Sequence, residues 1–516
     1  MASSHHKQDT LHWQSRRPQL ICQSVRLRVR GWTRWCALVV FLGVGSACGD
    51  VHSRGAEVAA RISRVENGLL RAIVIQGRPN GLALEDRMSF HKVPGVSIAV
   101  INESRVEWAK GYGILQAGSD RLVNTETLFQ AASISKPVTA LAALRTVDMG
   151  LIALDDAVNN KLRSWLVPDN EFTARSKVTL RGLLSHSAGL TVHGFRGYAP
   201  DEPVPSLLQI LDGTGPANSA PIRVDIIPGT AFRYSGGGYT VLQQLLIDLH
   251  GKPFPEVMRE IVLDPVGMVH STYEQPLPEA RVSNAAVGHR RDGEPVPGLR
   301  HTYPEMAAAG LWATASDLAT FALEIARAWS GEEGRTISRE MTEEMFTPLL
   351  EDYGLGVFIG RNETAWNFNH GGLNEGFECE LLVYPELGMG AVIMTNGDQG
   401  RRLAVEILRA ISAEYGWTNY LPRVKVLDAV PAETYDRYVG RYMLDVGAEV
   451  TISKEDERLL MTLDELPVSE LLPESETAFF CLELNTDIRF IGDSTGAYDE
   501  IAIVYRGQHM NGARVE

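Results

Sequence analysis

The stretch AASISKPVTALAALRTVDMG, residues 131–150, is the most informative segment of this chain. Apolar residues recur at helical spacing after Ser133-Ile134-Ser135-Lys136, and Gly150 is typical of a helix end. Ser133 and Lys136 are three positions apart, so a helix places both side chains on one face, about one turn from each other. A serine at a helix N-terminus also lies beside free N–H groups and the positive end of the helix dipole, which suit an oxyanion.

The Ser-x-x-Lys spacing is weakly specific by itself. A second match, Ser89 to Lys92, runs directly into Val93-Pro94-Gly95. That segment cannot begin a helix, because the residue before a proline is disfavoured in helical conformation. We therefore assign chemistry to the first match alone.

The segments on either side of the first match predict the fold class. Strand patterns precede it at 95–101 and 106–113 and return at 354–359, 366–368, 376–384 and 389–394, before a helix at 401–415. A further helix is predicted at 56–76, and residues 133–345 are mostly helical. Strands at both ends with helices between them indicate one antiparallel sheet with a helical insertion, an α+β domain. Residues 431–516 show short alternating strands, which predict a separate small β-domain.

Two further motifs carry candidate chemistry. Tyr234-Ser235 lies in the glycine-rich segment RYSGGGY just before a predicted helix, where a phenol can enter a cleft. His370-Gly371-Gly372 follows a predicted strand, and glycines on a strand usually mark the close approach of another backbone. Taken alone, each motif is equally compatible with a structural turn.

Taken together, the three motifs resemble those of the class C β-lactamase-like serine hydrolases, which include D-alanyl-D-alanine carboxypeptidases, D-aminopeptidases and esterases. The segments PGVSIAVI (94–101), LLSHSAGL (183–190) and AAGLWATASDLATF (308–321) support this resemblance, which covers residues 55–418. The segment after residue 431 looks like the lipocalin-like β-domain often appended to such hydrolases. The resemblance implies a β-lactamase/transpeptidase-like domain followed by a small all-β domain.

A rival motif, GDSTG at 492–496, fits the G-x-S-x-G nucleophile elbow of α/β-hydrolases. That elbow requires a strand before it and a helix after it. Strand patterns flank this segment on both sides, so it is predicted to be a hairpin turn.

The resemblance implies acyl transfer, in which Ser133 attacks a carbonyl to form an acyl-enzyme that water hydrolyses. Lys136 can serve as the base only if its pKa lies far below the reference of about 10.4. Tyr234 is the other candidate base and the expected proton donor to the leaving group, and the sequence does not choose between them. The backbone N–H groups of Ser133 and Leu373 would form the oxyanion hole. The predicted catalytic and substrate-binding residues are Ser133, Lys136, Tyr234 and His370, with Ser235, Gly371, Gly372 and Leu373 for the substrate.

Two departures from the family pattern bear on the substrate. His370 stands where a lysine is common, followed by Gly371 in place of threonine, and Gly236 stands where asparagine is usual. Both changes indicate peptidase or esterase activity on D-amino-acid peptides, amides or esters, with β-lactamase as the alternative. His370 also predicts an activity change near pH 6–7. Gln209 and Asp212 are further candidates to approach the acyl group.

A binding or sensor protein on the same fold is the alternative of another class, with the C-terminal β-domain holding the ligand. No cysteine or histidine spacing suggests a metal site, and no cofactor is expected. We expect a small-molecule or peptide substrate. The oligomeric state is left open.

Composition and charge limit the partners and the compartment. The 516 residues carry a net charge of −15, yet the first 35 residues hold seven basic side chains against one acidic. A basic segment, an apolar run and Gly45-Ser46-Ala47 resemble an export signal over residues 1–47, placing the protein in a bacterial periplasm or cell envelope. Cys48 follows the cleavage site, where lipoproteins are acylated, so membrane attachment is an alternative to simple secretion. The acidic remainder disfavours nucleic acid as a partner.

Overall fold

The computed structural model describes residues 44–332, 336–361, 365–464, 466, 468–492, 498–505 and 507–515, and for residues 44–53 it describes the backbone alone. The chain divides into one unit that ends at Ala56 and a second from Glu57 to Glu516. The predicted signal sequence up to residue 43, the Cys48 side chain and the turn at 493–496 lie outside the described residues. These predictions are therefore untested.

The strands of the described residues follow each other along the chain as β1 (Ile73–Ile75), β2 (Gly95–Asn102), β3 (Arg105–Gly113), β4 (Phe129–Gln130), β5 (Trp312–Ala313), β6 (Phe358–Arg361), β7 (Trp366–Asn374), β8 (Phe377–Tyr384), β9 (Met389–Thr395), β10 (Arg423–Lys425), β11 (Gly440–Leu444), β12 (Glu449–Glu455), β13 (Arg458–Leu463), β14 (Ser469–Pro473), β15 (Ala478–Cys481), β16 (Thr486–Gly492), β17 (Tyr498–Tyr505) and β18 (Gln508–Arg514). The α-helices are α1 (Val44–Glu66), α2 (Leu84–Phe90), α3 (Ser135–Asp148), α4 (Leu180–Leu184), α5 (Leu207–Asp212), α6 (Gly236–His250), α7 (Phe254–Met258), α8 (Asp264–Val266), α9 (Glu279–Val282), α10 (Met306–Ala309), α11 (Ala315–Ser330), α12 (Arg339–Met345) and α13 (Gly400–Tyr415).

The main sheet has six antiparallel strands in the order β3-β2-β9-β8-β7-β6. Strand β2, from the N-terminal end of the domain, pairs with β9 from the C-terminal end, and the helices of residues 135–345 lie between them in sequence. Helix α11 packs against β2 and β9 on one face, and α13 packs against β8 and β9 on the other. The predicted α+β class with a helical insertion is confirmed.

Burial explains why β2 is mostly apolar. Ala99 and Ile101 belong to the core on the α11 face, whereas Val96, Ile98 and Val100 belong to the core on the α13 face. All eight residues of the strand are buried, including the polar Ser97 and Asn102. A strand covered on both faces favours apolar side chains at successive positions, because successive side chains point to opposite faces.

The prediction of a helix over 56–76 is wrong at both ends. Helix α1 begins at Val44 and ends at Glu66, before Asn67-Gly68, and Ile73–Ile75 then forms β1. Strand β1 pairs in parallel with β10, and its three residues are buried. A short apolar run is compatible with either a buried helix or a buried strand, and here the pairing with a strand about 350 positions later decided it.

The C-terminal domain is a closed eight-stranded barrel, β11 to β18, in which each strand pairs with its neighbour in sequence and β18 closes onto β11. This confirms the predicted small all-β domain. Aromatic rings fill the barrel interior, with centroid separations between 4.6 and 6.4 Å: Tyr435, Tyr438, Tyr442, Phe479, Phe490 and Tyr498. The interior is therefore a packed core.

The barrel contacts the preceding α+β domain through β1 and α2. Ile73 and Ile75 pack against Phe480 of the barrel, and the barrel residue Glu483 pairs with Arg71 at 2.6 Å and Arg87 at 3.2 Å. These contacts lie on elements other than those that carry the predicted site residues. Among the described residues, no helix has the length and apolar character needed to cross a membrane.

Candidate active site

The Ser133 hydroxyl is presented by a single 3₁₀ turn, Ala132–Ile134, directly before α3. Ala132 adopts a positive φ of 49°, a conformation that costs an L-residue other than glycine or asparagine roughly 1 kcal/mol. The Ser135 hydroxyl supports this turn by donating to the Ala132 carbonyl at 2.5 Å and accepting from the Leu311 N–H at 2.9 Å. Ser133 itself is half-buried, so its hydroxyl lies at the surface of a largely buried helix.

Lys136 lies under Ser133 and is only 2% exposed. Its Nζ lies 2.9 Å from Ser133 Oγ and donates to the Ala308 carbonyl at 2.8 Å. No carboxylate of the described residues pairs with it, so desolvation lowers the pKa of Lys136 to about 7. A lysine in this position exchanges its proton near neutral pH.

Tyr234 lies opposite Lys136 at the start of α6. The Nζ atom of Lys136 is 4.9 Å from the centroid of the Tyr234 ring. Burial raises the pKa of Tyr234 well above its usual value, and the nearby Ser133 hydroxyl lowers it by less. The phenol is therefore protonated at neutral pH. The structure thus brings Ser133, Lys136 and Tyr234 together, as the motifs predict.

Ser235 has a structural role at the start of α6, and its contact with substrate stays a prediction. It is the N-cap of α6, where its hydroxyl accepts the Gly238 N–H at 2.9 Å and donates to the Thr191 carbonyl at 2.8 Å. It is 3% exposed. Serine is among the preferred N-cap residues because its oxygen satisfies an unpaired helix N–H. Its side chain fixes the start of α6 and hence the backbone that carries Tyr234.

His370 lies on β7 and is buried, with 2% of its surface exposed. Nδ1 is 2.7 Å from the Gly371 carbonyl, which places a ring proton on Nδ1, and Nε2 is 3.5 Å from the Tyr353 hydroxyl. Burial, and secondarily the charge of Lys136, lower the pKa of His370 to about 3. This low pKa disagrees with the predicted titration near pH 6–7, because burial disfavours the charged form of the imidazole.

The two glycines after His370 have different surroundings. A Cβ on Gly372 would lie 2.3 Å from the Ala131 carbonyl oxygen, which no side chain tolerates. A Cβ on Gly371 would meet only the Glu380 carboxylate, at 3.2 Å. The predicted close backbone approach therefore occurs at Gly372, where β7 runs against the turn that carries Ser133.

The Leu373 amide points along the edge of β7 that faces this turn. Asn374 and Phe377 flank a two-residue hairpin turn and so exchange both of their ladder hydrogen bonds. Successive residues of β7 alternate in the direction of their backbone hydrogen bonds, so the Leu373 N–H points away from β8. Strand β6 pairs with β7 only as far as Asn369, and beyond it this edge contacts the 3₁₀ turn of Ser133. The Leu373 side chain is 67% exposed.

Gln209 and Asp212, both named as candidates near the acyl group, are engaged elsewhere. Gln209 forms a capping box with Ser206 at the start of α5. Asp212 accepts a hydrogen bond from the Trp165 indole at 3.0 Å. Neither carboxylate nor amide is directed by these contacts toward Ser133.

Sequence reasoning missed a cluster of aromatic rings behind the site. His186 packs against Tyr234 with ring centroids 4.3 Å apart and against Tyr353 at 4.8 Å, and Tyr239 lies beside it at 5.2 Å. His186 lies in the LLSHSAGL segment that supported the family resemblance, whereas no local pattern marks Tyr353. Within the described ranges, no group of three or more metal-ligating side chains could hold a metal ion.

Family models match both domains of the chain. The model described as "Beta-lactamase" matches residues 83–414, and the model described as "Domain of unknown function (DUF3471)" matches residues 424–514. The first model covers more than half of the chain and includes every predicted site residue. The second corresponds to the barrel.

Individual proteins agree with this result. The chain is 24% identical over 415 residues to penicillin-binding protein 4* of Bacillus subtilis, covering 73% of this chain and 86% of that protein. Its fold is similar to the octameric penicillin-binding protein homologue of Pyrococcus abyssi, with a TM-score of 0.57, 21% identity, and coverage of 83% of this chain and 98% of that one. It is also similar to a D-alanine carboxypeptidase of Burkholderia cenocepacia, with a TM-score of 0.51, 20% identity, and coverage of 64% and 96%. The chain belongs to the beta-lactamase family and is a serine hydrolase, and its family domain is followed by an eight-stranded β-barrel domain.

Proposed function

We propose that Ser133 is the nucleophile of this hydrolase and that Lys136 is its general base. The observation that carries the proposal is the 2.9 Å contact between Lys136 Nζ and Ser133 Oγ, made by an amine whose burial lowers its pKa to about 7. A neutral amine keeps one N–H on the Ala308 carbonyl and offers its lone pair to the serine proton. The proton then moves to Nζ as Oγ bonds to the substrate carbonyl carbon.

Tyr234 is assigned as the proton donor to the leaving group. Its raised pKa keeps the phenol protonated at neutral pH. Its ring lies 4.9 Å from the Lys136 Nζ atom that contacts Ser133 Oγ, which supports a position beside the scissile bond. When the tetrahedral intermediate collapses, the leaving oxygen or nitrogen takes the phenol proton. The proton held by Lys136 then restores the phenol, so the site is neutral again in the acyl-enzyme.

The Ser133 and Leu373 N–H groups form the oxyanion hole in this proposal. Helix α3 begins just after Ser133, which adds the positive end of its dipole. The Leu373 N–H reaches the same region because Gly372 allows β7 to lie against the turn. Removing one such donor typically costs about 10²–10³ in rate.

The proposed substrates are peptides, amides or esters of D-amino acids. The name of the Burkholderia neighbour, a D-alanine carboxypeptidase, supports this class. The neutral His370 provides no fixed charge for a carboxylate at the third motif. A Cβ on Gly236 would lie 3.0 Å from the Phe195 ring, so an aromatic wall stands where the family places an amide for the acyl side chain. Both features favour peptidase or esterase activity over β-lactam hydrolysis.

The sensor alternative assigned ligand binding to the C-terminal domain. The packed aromatic interior of the barrel disfavours that role, since the rings occupy the space that a ligand would need. Export through residues 1–47, with or without a lipid on Cys48, remains part of the proposal. Mass determination of the mature N-terminus in parent and Cys48→Ser tests it.

A pre-steady-state burst with a short-chain p-nitrophenyl ester tests the nucleophile. We expect about one equivalent of p-nitrophenol per chain in the parent and none in Ser133→Ala. Ser89→Ala, in the second Ser-x-x-Lys match, is the matched control and keeps the burst. A burst that survives in Ser133→Ala would mean that another residue is the nucleophile.

Substrate class is tested on the same preparations. Matched D-alanyl and L-alanyl dipeptides and esters are compared with a chromogenic cephalosporin. Preferred turnover of the D-series supports the proposal, whereas a cephalosporin kcat/KM above that of every peptide and ester would favour the β-lactamase alternative.

A further inference from the structure

His186 holds the backbone on both sides of Tyr234. Its carbonyl oxygen accepts the Arg233 N–H at 2.9 Å. Its ring Nδ1 accepts the Ser235 N–H at 3.1 Å. Arg233 and Ser235 are the immediate neighbours of Tyr234, so His186 binds the backbone N–H groups of the residues before and after Tyr234.

The imidazole also fixes the direction of the Tyr234 ring. The two ring centroids lie 4.3 Å apart with an interplanar angle of 39°. Tyr353 and Tyr239 contact the other sides of the imidazole, at 4.8 and 5.2 Å, and Phe232 meets it edge-on at 6.1 Å. His186 is 2% exposed, so this packing leaves the ring little freedom to turn.

The backbone of His186 is held in a demanding conformation to make these contacts. Its φ is +56°, in the left-handed region that histidine and asparagine adopt more readily than most residues. An amide N–H can only donate, so Nδ1 must carry a lone pair and the ring proton must lie on Nε2. The hydrogen bond from the Ser235 N–H to Nδ1 therefore requires the neutral ring. Burial and the facing groups Lys136, His370 and His193 hold the pKa of His186 well below its usual value, which keeps that form.

We propose that His186 is a positioning residue that holds the Tyr234 phenol for proton transfer to the leaving group. This inference rests on the proposed function of Tyr234 and adds a residue to it. His186 does not touch the reacting atoms, so its loss should slow only those steps that need the phenol proton.

Two esters with the same acyl group separate this role from a general structural one. p-Nitrophenyl butyrate expels a stable phenolate, which needs no proton, whereas ethyl butyrate expels an alkoxide, which does. Both give the same acyl-enzyme, so any difference between them arises in acylation. General acid catalysis contributes about 10²–10⁴ in rate, and a misplaced donor forfeits part of it.

We expect His186→Ala to lose about 10- to 100-fold in kcat/KM for ethyl butyrate and less than about threefold for p-nitrophenyl butyrate. His186→Asn should recover most of the loss, since its Oδ1 replaces Nδ1 as the acceptor and asparagine tolerates positive φ. His186→Gln, whose oxygen lies at the Nε2 position, should not recover it. Phe232→Leu disturbs the same ring cluster without touching either amide and is the matched control.

The Tyr234→Phe background gives the decisive comparison. If His186 acts through the phenol, His186→Ala costs nothing further in that background. Equal losses on the two esters, additive losses in the double variant, or an asparagine variant no better than alanine would each overturn the proposal. Thermal unfolding of every variant identifies any that fails to fold, and the Asn and Gln pair then replaces the alanine comparison. Failure of the parent to turn over either ester through Ser133 would instead refute the proposed function.

Discussion

The pH dependence of acylation should follow the Lys136 amine. Burial lowers the pKa of Lys136 from 10.5 to about 7, which corresponds to roughly 5 kcal/mol of lost hydration not replaced by a counter-ion. The base is active when neutral, and a lowered pKa means that the neutral form predominates above about pH 7. kcat/KM should therefore rise about tenfold per pH unit below pH 7 and level off above it, with about 1% of the maximum at pH 5.

The assay measures kcat/KM for an uncharged ester from pH 5 to 9, corrected for spontaneous hydrolysis. An uncharged ester is needed because its own ionisation then contributes nothing to the profile. His370 has a pKa of about 3 and should not titrate in this range, so His370→Asn should change the level of the profile without moving its midpoint. Lys136→Met should remove the rise together with the activity.

Two results would refute this account. A flat profile between pH 5 and 9 would mean that Lys136 does not change protonation in the free enzyme. A midpoint near pH 6.5 that disappears in His370→Asn would restore the histidine switch that its burial contradicts. Far-ultraviolet circular dichroism at pH 5 is the control for acid unfolding.

Gly372→Ala should abolish the burst and destabilise the fold by about 1–3 kcal/mol, since its Cβ would lie 2.3 Å from a backbone oxygen. Gly371→Ala should have a mild effect, because its Cβ would meet the movable carboxylate of Glu380. Thermal unfolding and the ester burst measure both effects. Glu406→Gln should cost about 3–5 kcal/mol in chemical denaturation, because it leaves Arg87 buried beside a neutral partner, whereas the more exposed Glu483→Gln should cost less than about 1 kcal/mol. Burial raises the pKa of Glu406, but Arg87 and His91 lower it by more. The stability that Glu406 contributes is therefore complete above the pKa of the unfolded state and is lost as the pH falls through the lower pKa of the folded state. Equal stability of Glu406→Gln and parent at pH 7 would contradict the buried pair.

Sequence patterns located the strands of the main sheet better than those of the barrel. Strands β2, β8 and β9 are buried at nearly every position, and their predicted bounds, like those of the less buried β3, agree with the structure within a residue or two. The barrel strands β14 and β15 have only five and four residues. So short an alternation does not stand out from a charged loop.

The sequence by itself determined the fold class, the order of the motifs and the residue types of the site. Ser133 lies on the 3₁₀ turn and Lys136 in the first turn of the helix that follows it, so their spacing of three positions is enough to bring the two side chains together. Tyr234 and His370 were added by their likeness to a family, not by physical derivation.

The tertiary structure alone decided the state of each site group. The pKa of Lys136 falls to about 7 and that of His370 to about 3 because residues distant in sequence bury them, and spacing alone does not reveal that burial. Long-range contacts also decide the roles of Ser235 and His186. The Ser235 hydroxyl donates to the distant Thr191 carbonyl, and the hydrogen bonds of His186 to the residues that flank Tyr234 join segments about 50 positions apart. The protonation states and contacts at this site depend on long-range packing, whereas short motifs are enough to identify its residues.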